Sequence, residues 1–73
     1  MFDDGELHAV FIDGRHDLDA LTADIRAWAP KVKPGGWLAG HDHVPEWPGV
    51  IQACVAEFGT GYHVRRSSWV RNR

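Results

Sequence analysis

The run His8–Asp13, HAVFID, gives way within a few residues to apolar side chains at helical spacing. That change of period limits the fold of this chain more than any other feature. Ala9 to Ile12 is an unbroken apolar stretch with two β-branched residues, the pattern of a strand buried on both faces of a parallel sheet. Leu18, Leu21, Ile25, Trp28 and Val32 then follow at spacings of 3, 4, 3 and 4. This stripe predicts a helix from about Asp17 to Trp28, running on toward Val32. Asp17 suits the N-cap, and Asp19 suits the positive end of the helix dipole. Pro30 ends or kinks the helix, because it lacks an N–H and its ring clashes with the preceding turn.

The segment KPGGW predicts a turn, and Trp37–Gly40 a second strand. Pro48 fits the first position of a second helix, with Val50, Ile51, Cys54, Val55 and Phe58 as its apolar face. Gly59 stops that helix. The stretches YHVRR and SSWVRN read as short strands that turn back about Arg66–Ser67. The fold expected is α/β: a partial doubly wound, Rossmann-like parallel sheet, strand-helix-strand-helix followed by a short C-terminal strand or hairpin. No linker or repeat divides the chain, so residues 1–73 read as a single unit.

Size sets the next limit. A domain of 73 residues buries only about 60% of its unfolded surface and is marginal without a disulfide, a metal or a partner. The one cysteine, Cys54, leaves no internal disulfide and suits a reducing compartment. At 44% hydrophobic and 25% charged residues the chain is too apolar for disorder. Residues 1–30 carry seven acids and two bases, a balance of −5, and residues 31–73 carry six bases and three acids, a balance of +3. The net charge of −2 gives no electrostatic case for nucleic acid. The basic end, with Arg65, Arg66, Arg71 and Arg73, reads as solvated. The start MFDDGELH is acidic where a signal peptide is basic, and no apolar run reaches the ~20 residues of a membrane span. A cytoplasmic, membrane-free protein is expected.

In open α/β sheets, ligands bind outside the carboxyl ends of the strands. That rule puts Asp13–His16 and His41–His43 on one edge. An Asp-Gly pair after a strand is by default a turn whose carboxylate holds local donors. The second polar cluster, HDH, raises Asp13 to a candidate catalytic or ligating group, with His16 at the same mouth. On an extended segment His41 and His43 point one way and Asp42 the other. Two metal sets stand open: Asp13 with His41 and His43 for zinc or iron, or Asp13 with Asp42 for Mg²⁺. Trp47 is either a lid aromatic or a staple at the helix entry. Trp37 and Trp69 read as core or sheet-face residues. No nucleophile elbow, cysteine pair or phosphate-binding glycine loop is present.

The stretch FIDGRHDLDALTADIRAWAPKVKPGGWLAGHDHVPEWPGVIQACVAEF resembles the second half of a class I S-adenosylmethionine-dependent methyltransferase. It is most similar to the family 24-like group, with FIDG-x-H after the fourth strand and KPGG-x-x-x-GHD around the fifth. The resemblance implies that His8–Asp13 is the fourth strand, Trp37–Gly40 the fifth, and the tail the sixth and seventh. It implies catalytic roles for Asp13 and His16, a cofactor edge at Asp13 and Gly14, and a Mg²⁺ site at Asp13, Asp42 and His41. His41 stands where some relatives carry another acid. A small-molecule or sugar hydroxyl is the implied methyl acceptor. The family's main cofactor cradle, a glycine-rich loop after strand one and an acid after strand two, has no counterpart in these residues. The expectation is therefore a C-terminal half, inactive alone, whose open strand edge takes an N-terminal half or a second copy. The alternatives are a non-catalytic docking or dimerising module and a metal-binding mini-domain using Asp13, His41 and His43.

Overall fold

A computed structural model describes residues 4–12 and 17–73. Strand β1 (Leu7–Ile12) is followed by helix α1 (Leu18–Trp28), a 3-10 turn (Ala29–Lys31), strand β2 (Val32–Gly40), helix α2 (Pro48–Phe58), and the hairpin of β3 (His63–Arg65) and β4 (Ser68–Asn72). The sheet order is β1-β2-β4-β3. β1 and β2 are parallel, while β4 runs antiparallel to both of its neighbours. The sheet is thus mixed: a parallel pair joined through a helical crossover, extended by a hairpin. This is the partial Rossmann-like α/β arrangement expected.

Both helices pack on one face of the sheet. Ile12, Leu38 and Trp69 from the strands meet Leu21 and Ile25 of α1 and Val50, Ala53 and Cys54 of α2. α1 begins where the Asp17 carboxylate accepts a 2.7 Å hydrogen bond from the Ala20 amide, as an N-cap should. α2 opens on Pro48 and closes at Gly59, whose φ of +59° suits glycine and whose N–H bonds the Val55 carbonyl. Arg26 of α1 clasps Glu57 of α2 through two hydrogen bonds of 3.0 and 3.1 Å.

Three details differ from the sequence reading. The α1 stripe stops at Trp28, and Val32 is a strand residue, 1% exposed. Pro30 forces the change, since the chain tightens into the 3-10 turn around it and leaves extended. Helical spacing placed Val32 on the stripe by coincidence.

KPGG is likewise not a turn between elements but part of β2. Between the pairs Leu7↔Val32 and Ala9↔Trp37 the register shifts, so β2 carries three more residues than β1 there. Gly35, at φ +86°, and Gly36, where a Cβ would collide with the His8 carbonyl, permit this bulge. Its free groups are used: Gly35 N–H donates to the Arg73 carbonyl and Arg73 N–H to the Gly36 carbonyl.

On α2, Val55 is 53% exposed and Ala53 takes its place in the core. Positions 50, 53 and 54 share a helix face, whereas a residue five along lies well off it.

The sheet's other face carries no helix among the described residues. Phe11, Trp37, Ala39, Ser68 and Val70 line a shallow depression of about 260 Å³ there. Among the described residues β1 is an edge strand, as expected, paired only with β2.

Candidate functional site at the carboxyl edge of the parallel strands

The parallel pair β1–β2 ends in step, with Ile12 opposite Gly40. The carboxyl ends of the two strands are therefore adjacent. Asp13, Gly14, Arg15 and His16 lie outside the described residues, so the catalytic reading of Asp13 and His16 and the cofactor reading of Asp13 and Gly14 rest on sequence. The HDH cluster is described. His41 is exposed, and Asp42 and His43 are half-buried.

The two imidazoles do not act as a pair. His41 meets Phe11 edge-on at 4.8 Å between ring centroids, on the side of the sheet without helices. His43 turns to Tyr62, with Nε2 2.8 Å from the phenol oxygen. Tyr62 in turn packs beside Phe58 and the helix-side core. The reason lies in the backbone. Asp42 has φ +65°, so the segment is not extended and the strand alternation expected of it is lost. No group of three His, Cys, Asp or Glu side chains that could hold a metal occurs among the described residues. Asp13, common to both metal sets read from the sequence, lies outside the described residues, and His41, Asp42 and His43 do not by themselves form such a group.

Other groups meet this edge that sequence reasoning missed. The antiparallel return of β4 starts opposite the end of β2, pairing Trp69 with Gly40. This brings the hairpin tip beside HDH, where the His43 amide donates to the Ser67 carbonyl at 2.9 Å. The neighbourhood of Tyr62 and Ser67 depends on strand pairing, and no local motif announces it.

Trp69 is fully buried, and its indole N–H has no hydrogen-bond partner among the described residues. A Cβ on Gly40 would stand 2.6 Å from that nitrogen, so the last residue of β2 must be glycine for the indole to lie against the strand. Burial pushes the Tyr62 hydroxyl above its usual pKa, with a smaller contribution from Cys54. Burial also pushes the Cys54 thiol up to about 12. Cys54 is therefore an inert core residue, not a nucleophile.

The cavities of about 440 and 260 Å³ lie elsewhere, one between the helices and one on the uncovered face.

The profile of one family, described as a methyltransferase domain, matches residues 1–43. The chain belongs to that family. The match takes in β1, α1 and β2 and stops at His43, so it covers both strand ends and the cluster that follows the second. No curated protein and no solved structure matches the chain. No helix among the described residues of this methyltransferase-family chain is long and apolar enough to cross a membrane.

Proposed function

We propose that the chain is the acceptor-side, C-terminal half of a class I S-adenosylmethionine-dependent methyltransferase acting on a small molecule or sugar. The observation that carries this reading is the parallel β1–β2 pair of a methyltransferase-family segment, ending at Ile12↔Gly40 with a polar cluster immediately beyond it. Asp13 is the proposed catalytic group, accepting the proton of the acceptor hydroxyl or orienting it, and His16 assists at the same mouth. Gly14 lets the chain pass close to the cofactor. Catalysis of this kind is chiefly positioning of two reactants. A divalent ion near the acceptor would need Asp13, with Asp42 and His41 as neighbours.

The cofactor cradle comes from outside these 73 residues. The surface for it is the β1 edge, where unpaired backbone groups offer a template for another strand. The half-protein is inactive alone in this reading, and the cytoplasm is its proposed compartment.

The DNA immediately upstream provides a test. A reading frame for a strand followed by a glycine-rich loop supports the proposal, and its absence argues against a split enzyme. In the reassembled enzyme, Asp13→Asn should lower kcat about 100-fold or more. An unchanged kcat would remove Asp13 from its role.

A second reading, a docking or dimerising module, is favoured by one observation. Phe11 is 47% exposed and Trp37 36% exposed on the sheet face that lacks helices. Sedimentation at micromolar concentration separates the two: a stable homodimer supports the module, and a monomer argues against it.

A further inference from the structure

The larger cavity, about 440 Å³, opens between α1, the 3-10 turn, α2 and β4. It is apart from the carboxyl edge, on the helix side of the sheet and reaching Val32 at the start of β2. Its size lies in the ordinary range of small-molecule sites. Its accessible floor is apolar: Ala29, Pro30 and Phe58 are half-buried or exposed, while Ile25, Val32 and Leu38 are closed off at 2% exposure or less. Its rim is cationic. Arg71 and Arg73 alternate along the end of the chain, so both reach the same side of the sheet.

Each guanidinium is held by main-chain carbonyls. Arg71 donates from Nη1 to the Gly61 carbonyl and lies 5.5 Å from the Phe58 ring centroid. Arg73 donates from Nη1 to the carbonyls of Ala29, Pro30 and Val32. These bonds fix the two groups without cancelling their charge. They also use one nitrogen of each fork, and a guanidinium has five N–H donors. Across the mouth, Arg26 is occupied by its two-point clasp on Glu57.

An apolar floor beneath two fixed guanidiniums selects a ligand with one apolar body and one planar anionic head. Arginine forks match carboxylates bidentately. We propose that this cavity binds a small amphipathic carboxylate, its alkyl or aryl body on Ala29, Pro30 and Phe58 and its head at Arg71 and Arg73. A polyphosphate would use the rim and waste the floor, and a neutral alkane would do the reverse.

The test is calorimetric titration of the full 73-residue chain with octanoate, octanol, acetate and inorganic phosphate, with the melting temperature of each variant recorded. Octanoate should bind saturably at about millimolar Kd or tighter, and at least about tenfold more tightly than the other three. Arg71→Gln should weaken octanoate about tenfold while leaving octanol unchanged, and Arg71→Lys should keep part of the binding. Because Arg73 also holds the 3-10 turn, Arg71 is the better probe, and a cooperative melt of the variant shows that the fold survives. Equal binding of octanol and octanoate, equal binding of phosphate, no saturation with octanoate, or an unchanged Kd in a folded Arg71→Gln protein would each overturn the proposal.

Discussion

The two faces of one four-stranded sheet have met opposite fates. On the helix side, Leu38 and Trp69 are closed over by α1 and α2, and the largest buried side chains gather there. On the other side, Phe11, Trp37 and Val70 surround an apolar depression with no helix above it among the described residues. The same strands supply both faces, since neighbouring residues alternate across a sheet. The difference teaches where stability and function divide. The covered face holds the fold together, while the β1 edge is the surface proposed for an N-terminal half and the uncovered face the one that favours a docking module.

The sharpest way to break this comparison is to remove a tryptophan from each face. Trp69→Ala should cost about 3–5 kcal/mol in denaturant unfolding, through the cavity it leaves beneath the helices. Trp37→Ala should cost about 1 kcal/mol or less, since it is partly exposed already. Comparable losses at the two sites would mean that both faces carry the core. The next largest effect is expected at Gly40. Gly40→Ala would push a methyl group into the Trp69 indole, for a loss of about 1–3 kcal/mol read from the same experiment.

These sites also mark how far the sequence could be read. Asp17 as N-cap and Pro48 and Gly59 as the limits of α2 follow from local chemistry and are present, and the hairpin about Arg66–Ser67 is present as well. The first residue of that hairpin turn, Arg66, has φ +58°, a conformation more often given to glycine or asparagine, so the turn lacks the usual sequence signal. KPGG misleads for the opposite reason. Its glycines look like a turn, yet they serve a bulge whose partners, His8 and Arg73, are distant in sequence. The candidate site was legible to the same degree. Alternating elements implied that the two strands are parallel neighbours, and the register Ile12↔Gly40 agrees, while residues 13–16 lie outside the described residues. The turning of His43 toward Tyr62 depends on one left-handed residue, Asp42, and on where the hairpin returns. Neither is encoded in a short motif.

Smaller effects sharpen the picture of the edge. Tyr62→Phe removes the phenol oxygen that meets His43 and should cost about 1 kcal/mol, with a change in the chemical shifts of the His43 ring followed by NMR. An unchanged His43 signal would mean that the contact does not form in solution. At neutral pH the Cys54 thiol is protonated both folded and unfolded, so through this group stability should not vary with pH there. Its folded pKa, raised by burial to about 12 from 9.0, means that unfolding releases the proton more readily than the folded state does. This contribution is fully present below about pH 9 and should be lost as the pH rises toward 12, as read from melting temperatures across that range. A Cys54→Ser variant with the same alkaline profile would assign the loss to other groups.

The central claim is that these residues form one half of a methyltransferase, with the acceptor edge present and the cofactor cradle elsewhere. Calorimetric titration of the 73-residue chain with S-adenosylmethionine tests it most directly. The account expects no saturable binding tighter than about millimolar, equivalent to about 4 kcal/mol of binding free energy. Micromolar binding by the isolated chain would show that the cradle is complete without a partner, and would contradict the claim.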